Sequence, residues 1–215
     1  MLITALQMRH TVDMSIISTT TSDDPRAVRS RARMQEALMR MLAREELSGI
    51  GVAELCREAG IHRTTFYGHY ESVGELAAET FASIIRVAAT ARPRPGDTLE
   101  QISHAYLAAA ENVLAAVARD RHAIRSLLDS SMSLDFRGRL REHFLTHAAS
   151  AIDAMRAYNP DLPENTDVGA AFVAGGIVSV IELWAHSDSD DAAAFAARLY
   201  RSMPSWWPIP QTAAV

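Results

Sequence analysis

Five hydrogen-bond donors of four kinds, Arg63, Thr64, Thr65, Tyr67 and His69, fall within seven residues of the stretch ELCREAGIHRTTFYGHY, residues 54–70. A packed core has no use for that set. The same stretch places Gly60, a helix breaker, between two short helix-like segments, 51–59 and 62–70. The first offers Val52, Leu55 and Ala59 to a small core, Ile61 and Phe66 plug that core from the other side, and Ala59 and Gly60 stay small where the two segments meet. The second helix therefore points its donors outward. Unpaired N–H groups give its N-terminus partial positive charge, which suits a phosphate or an electronegative groove floor. Two short helices meeting at a Gly-containing turn form a helix-turn-helix.

The element in front supplies more of the same charge. Between Arg26 and Arg44 the chain carries six arginines against one acid, Glu36, whereas from residue 77 onward it carries 12 arginines against 16 acids. With a formal net charge of −5 overall, this is an acidic protein with one basic end, suited to meeting a polyanion through that end only. The spacing predicts a first helix over 26–46, with Asp23 or Asp24 as N-cap, Pro25 in the first turn and Met34, Leu38, Met41 and Leu42 on the buried side. Gly51 is a tolerable N-cap for the next segment.

From Val52 to Leu76 the sequence VAELCREAGIHRTTFYGHYESVGEL resembles the DNA-binding signature of the TetR family of bacterial one-component transcription regulators. The matching positions are the Ala59-Gly60-Ile61 turn, Thr65-Phe66-Tyr67, His69-Tyr70, and Ser72 followed by Glu75-Leu76. The resemblance implies that Arg63, Thr64 and Thr65 face the major groove of double-stranded DNA, where Arg reads guanine and Thr a thymine methyl or base acceptor. It implies phosphate contacts from Tyr67 and His69, with Arg26, Arg29, Arg31 and Arg33 adding salt-sensitive backbone affinity. Three positions depart from the family pattern: His62 replaces the usual Ser or Thr cap, Val73 replaces a Lys at the start of helix four, and Gly51 replaces a Thr or Ser. His62 retains a donor for phosphate and Gly51 only its backbone N–H, so affinity leans on the arginines of the first helix.

The rest of the chain reads as helix. Ala, Leu, Arg, Glu and Met dominate and no β-branched alternating run appears, so the fold class is all-α. Helices are predicted over 73–90, 98–117, 120–130, 134–157, 166–187 and 190–202, separated by ARPRPGD, DRH, SMS, NPDLPENTD and SDSD. The organisation expected is a flexible arm (1–24), a helix-turn-helix head (25–71), a helical ligand-binding and dimerisation body (72–204) and a Pro-rich tail (205–215) whose Trp206 and Trp207 pack back on the body. One cysteine, Cys56, rules out an intrachain disulfide; it reads as a small buried hydrophobe, and the setting expected is the cytoplasm. The most apolar run, AAFVAGGIVSVIELWA, falls short of a membrane span and carries Glu182, so no membrane partner is expected.

The body is large enough for a cavity between helices. Candidate lining residues are Phe81, Ile84, Ile85, His104, Tyr106, Leu127, Phe136, Phe144, His147, Phe172 and Ser179, which suit a small apolar or weakly polar effector. The segment GAAFVAGGIVSVIELWA is apolar nearly all round, which predicts packing on the core and on a second copy, a homodimer. Its expected interface is Ala171, Ala174, Gly175, Val178, Ile181, Glu182 and Ala185, joined by Phe195 and Leu199 of the last helix. A two-fold pair places two recognition helices one DNA turn apart on a palindromic operator. His143 and His147, at i and i+4, have no HExxH motif or Cys partner, and the Ser130, Ser131 and Ser133 cluster has no glycine elbow or positioned His. No cofactor, no metal and no catalytic residue is expected. A ligand-responsive repressor is the leading reading, and a DNA-binding or interaction adaptor without a ligand is the alternative.

Overall fold

The computed structural model describes residues 24–91, 94, 96–156, 158, 162 and 164–207. The expected arm lies outside the described residues apart from Asp24, as does the tail beyond Trp207. Among the described residues the chain is helical throughout: α1 (Pro25–Leu42), α2 (Val52–Ala59), α3 (Arg63–Tyr67), α4 (Val73–Ala88), α5 (Leu99–Arg119), α6 (Arg121–Leu128), α7 (Ser133–Met155), α8 (Thr166–Ala185) and α9 (Ala192–Arg201).

Helix ends follow local chemistry. The Asp24 carboxylate accepts the Arg26 N–H at 2.9 Å with Pro25 in the first turn. Ser72 Oγ accepts the Glu75 N–H at 3.1 Å, and Glu75 reaches back to the Glu71 N–H at 2.7 Å. Thr98 and Gln101 form a reciprocal capping box on α5. Two helices end well short of expectation: α3 stops at Tyr67, not 70, and α1 stops at Leu42, not 46, where a 3-10 turn, Leu47–Gly49, follows. A straight continuation would carry Leu47 away from the stripe of Met34, Leu38 and Met41, whereas the turn buries both Leu47 and Ile50.

The head and the body share one core. It runs from Met34 and Leu38 of α1 through Leu76, Phe81 and Ile85 of α4 to Val117, Phe136 and Trp184. Helix α4 packs on α1 at one end and on α5, α6 and α7 along its length. Helices α7 and α8 form an antiparallel pair, with Arg137 Nε 2.6 Å from Glu182 Oε1 at one end and Arg156 bonding Thr166 at 2.6 Å at the other. Helix α6 clasps the C-terminal end of α8: Arg125 donates to the Ala185 and Ser187 carbonyls, and Arg121 stacks 5.0 Å over the Trp184 ring and pairs with Asp190 at 3.0 Å. Cations at a helix C-terminus complement its dipole.

Helix α8 also corrects the expectation that no segment reaches span length. Its 20 residues are long and apolar enough to cross a membrane by length and composition alone, and 44% of its most apolar window is buried inside the protein. Both the burial and the Arg137–Glu182 pair tie it to the helical body.

Candidate nucleic-acid interface and internal cavity

The turn between α2 and α3 is set by one glycine. Gly60 sits at φ 63°, ψ 41°, its N–H bonds the Arg57 carbonyl at 3.3 Å, and the Ile61 N–H bonds the Cys56 carbonyl at 3.0 Å. This is a Schellman ending, which satisfies the last carbonyls of α2 and turns the chain sharply. Phe66, fully buried beside Leu55, then locks α3 onto the head's core. With Phe66 inward, Arg63, Thr64 and Tyr67 are exposed, Tyr67 by 60%, and Thr65 and His69 are partly exposed. His62 and Gly51, the caps of α3 and α2, are exposed beside them and neither contributes a side-chain cap bond. Among the described residues, no internal hydrogen bond or ion pair uses the side chains of Arg63, Thr64, Thr65, Tyr67 or His69.

The arginines of α1 and of the turn after it fall into two groups, with Arg31 apart from both, partly buried and acting on Tyr70. Arg40 and Arg44 both pair with Glu58 of α2, at 2.8 and 3.4 Å, and hold its carboxyl below the usual range. They brace the head. Arg26, Arg29 and Arg33 are exposed, and Arg29 Nε bonds only the Pro25 carbonyl of its own helix. Tyr70 is core: it is buried, its hydroxyl donates to Glu79 at 3.2 Å, and burial with the Glu79 charge pushes its pKa up. Cys56 is buried in the same core, and burial raises its thiol pKa.

A cavity of about 80 Å³ lies in the body between α5, α7, α8 and α9. Tyr106, Phe144 and His147 line it as the sequence suggested. The other expected lining residues do not. Phe81, Ile85, Leu127 and Phe136 are buried in the main core, and Ile84 borders a shallow surface hollow with Ser83 and Val87. His104 is exposed, with its ring Nδ1 3.2 Å from the Glu100 carbonyl, while Phe172 and Ser179 sit on the outer side of α8. Sequence reasoning missed Tyr200, Met203 and Trp207, which close the cavity from α9 and the turn after it. The available signal was a cluster of large aromatic side chains just past a predicted helix end.

About four fifths of the chain can be laid over known structures. It matches the fatty acid degradation regulator FadR from Bacillus halodurans over 81% of this chain and 94% of that one, with a TM-score of 0.59 and 14% identity. It matches a chain from Shewanella sp. PV-4 assigned to the TetR family of transcription regulators over 81% and 97%, with a TM-score of 0.52 and 17% identity. The chain has the fold of the TetR-family regulators. In sequence, 54 residues are 39% identical to YxbF, an uncharacterised HTH-type transcriptional regulator of Bacillus subtilis (strain 168); they span 25% of this chain and 14% of that protein. No protein-family model matches the chain.

Within this TetR-type body the expected pairing face needs correction. Ala174, Val178, Ile181, Ala185 and Phe195 are buried inside the protomer, Leu199 lines the cavity, and Glu182 is engaged by Arg137. Ala171 and Gly175 are only partly covered and border the face of α8 that is bare. That face carries Val168, Phe172 and Leu183, exposed by 65, 68 and 61%, with Gly176 and Ser179 between them. Leu145 of α7 is exposed as well, whereas the open side of α9 shows Ala193, Ala194, Arg198 and Arg201. A bare apolar face is thus on α8 with Leu145 of α7 also exposed, and α9 adds no large apolar side chain to it. Among the described residues no group of three or more His, Cys, Asp and Glu side chains is placed to hold a metal ion.

Proposed function

We propose that the chain is a cytoplasmic DNA-binding transcription regulator, a homodimer that represses from a near-palindromic operator and is released by a small effector. The observation that carries the reading is the α3 surface: Arg63, Thr64, Thr65, Tyr67 and His69 stand together with no side-chain hydrogen bond or ion pair among the described residues, on a helix fixed by Phe66 and the Gly60 turn. Arg63, Thr64 and Thr65 enter the major groove, and Tyr67, His69 and His62 hold phosphates at its edges. Arg26, Arg29 and Arg33 add counterion-release affinity, with the Gly51 N–H as a further backbone donor. Phosphate contact is the part of this set that tolerates an overall acidic protein, because its range at physiological salt is about 8 Å.

The second copy pairs through Val168, Phe172 and Leu183, where Gly175, Gly176 and Ala171 allow close approach of the helices. The effector occupies the body cavity and acts by shifting the population of dimers whose two α3 helices fit successive grooves. Helix α4 gives a direct route, since it packs on α5 and α7 beside the cavity and starts five residues after Gly68 ends α3.

The test is protection of the DNA upstream of the protein's own coding region at physiological salt, with Tyr67→Ala in parallel. A protected near-palindrome, with affinity reduced about tenfold or more in the variant, is expected for a phosphate contact worth ~1.4 kcal/mol. Equal binding by the variant, or loss of all protection by a folded, dimeric wild type on both this fragment and pooled genomic DNA, would overturn the assignment.

A further inference from the structure

The cavity has a chemical polarity that narrows what it can hold. Among the described residues its wall carries no arginine, aspartate or glutamate. The polar groups are the hydroxyls of Tyr106 and Tyr200, the Trp207 indole N–H, and the imidazole of His147, whose side chain is otherwise exposed. Burial pushes the pKa of both tyrosines up, so both stay protonated donors throughout the physiological range.

Three of these groups are gathered at one end. The Tyr106 and Trp207 rings meet edge-on with centroids 5.8 Å apart, and the Trp207 indole N–H lies toward the Tyr200 hydroxyl. Trp207 is 95% buried, held by its own N–H to the Pro204 carbonyl at 2.8 Å. Its indole N–H is close enough to Tyr200 to oppose the effect of burial there, yet it makes no hydrogen bond of normal geometry. A buried donor in that state lacks the acceptor that most buried polar groups have. The rest of the wall, including Ala109, Val113, Val173 and Ile177, offers only apolar contact.

We propose that this cavity takes a small uncharged molecule, one ring or a short chain bearing a single oxygen acceptor, with that oxygen held by Tyr106, Tyr200 and Trp207 and the apolar part by α5 and α8. The effector role of such a molecule rests on the regulator reading above, whereas the cavity's selectivity does not. A carboxylate or ammonium would be buried with no arginine, aspartate or glutamate in the wall to pair with it, which costs more than three neutral hydrogen bonds return. A hydrocarbon of the same shape would leave the donors unmet. The tail beyond α9 thereby becomes part of the recognition, through Trp207.

The full chain is titrated by calorimetry at pH 7.5 with four probes that share one ring: benzyl alcohol, toluene, benzoate and benzylammonium. Benzyl alcohol is expected to bind about tenfold more tightly than either ion, and about three- to tenfold more tightly than toluene, the usual scale of one net hydrogen bond. Tyr106→Phe and Trp207→Phe should each reduce the preference for benzyl alcohol over toluene and leave toluene affinity unchanged. The charge series uses wild-type protein only, so a variant that fails to fold leaves that arm intact. Benzoate or benzylammonium binding as tightly as the alcohol, toluene matching it, or no binding of any probe overturns the proposal. Parallel DNA titrations separate the two readings. Operator binding by a protein that takes up no probe sinks the cavity chemistry alone, and alcohol binding by a protein with no affinity for DNA sinks the regulator reading alone.

Discussion

Gly74, in the first turn of α4, is where the end of the head meets the body, and adding a single methyl there tests whether that contact positions the head. A Cβ on Gly74 would stand 2.7 Å from Met132 Cγ, in the turn that leads into α7. Normal carbon contacts begin near 3.5 Å, so something must shift by close to an ångström. Met132 is only partly buried and unbranched, so it yields at the lower end of the overpacking range, about 1–2 kcal/mol. Gly→Ala in a helix returns about 0.5–1 kcal/mol, leaving a net loss near 1 kcal/mol. In a protein of this size that lowers Tm by about 2–4 °C. The informative quantity is the coupling between sites: Met132→Ala should restore Gly74→Ala, with a double-mutant interaction energy of at least ~0.5 kcal/mol by urea unfolding. Operator affinity should fall in Gly74→Ala and recover in the double variant, because α3 and α4 are separated by only Gly68–Ser72. Additive stabilities, or DNA binding unaltered while stability falls, would refute the idea that this contact sets the head's position.

Gly60→Ala should cost about 1–2 kcal/mol by urea unfolding even though no atom lies within 4 Å of the added Cβ, since the positive φ alone is the penalty; Gly60→Asn should cost less, and equal losses would contradict this. His143 is half-buried with Nε2 lacking a partner, and burial, the neighbouring His147 and Arg86 lower its pKa to about 4. Its folded value lies below the unfolded value of about 6.5, so its contribution is intact above pH 6.5 and is lost as pH falls toward 4. Discounted for partial exposure, the loss is about 1–2 kcal/mol at most, and His143→Leu should flatten the stability profile between pH 6.5 and 4; an unchanged slope would rule the group out. Phe172→Glu together with Leu183→Glu should yield a folded monomer in sedimentation velocity, since both side chains are solvent-facing and unfolding is not a consequence of changing them. A dimer that survives both would move the pairing surface elsewhere.

The head was legible because its signals are local. Gly60 at a left-handed φ, Asp24 and Ser72 as caps, and the outward set on α3 each depend on a few neighbouring residues, and each can be read from the order of types alone. Even Tyr70 separates from Tyr67, because it shares the side of Phe66 and not the side of Arg63. The end of α1 was misjudged for a non-local reason: the helical period runs on past Leu42, and only the demand to bury Leu47 and Ile50 in the head's core stops it.

The body was harder to read because an apolar residue does not record what covers it. Phe81, Leu127 and Phe136 have the same composition signature as Phe144, yet the first three fill the main core and only the last reaches the cavity. Helix α8 shows the limit clearly. It is apolar all round, so period cannot say which side faces its own chain, and the positions chosen for a partner, Ala174, Val178, Ile181 and Ala185, proved to be the side that α5, α6 and α7 cover. Their complement on the helical wheel, Val168, Phe172 and Leu183, is left bare because the neighbouring helices are used up on the inner side. Likewise α9 was paired with α8 for its Phe195 and Leu199, but it has only one apolar side and spends it on α5 and the cavity. A one-sided helix spends its apolar face on its own chain, whereas an all-round apolar helix keeps a second one; that asymmetry leaves a bare apolar face on α8 and none on α9.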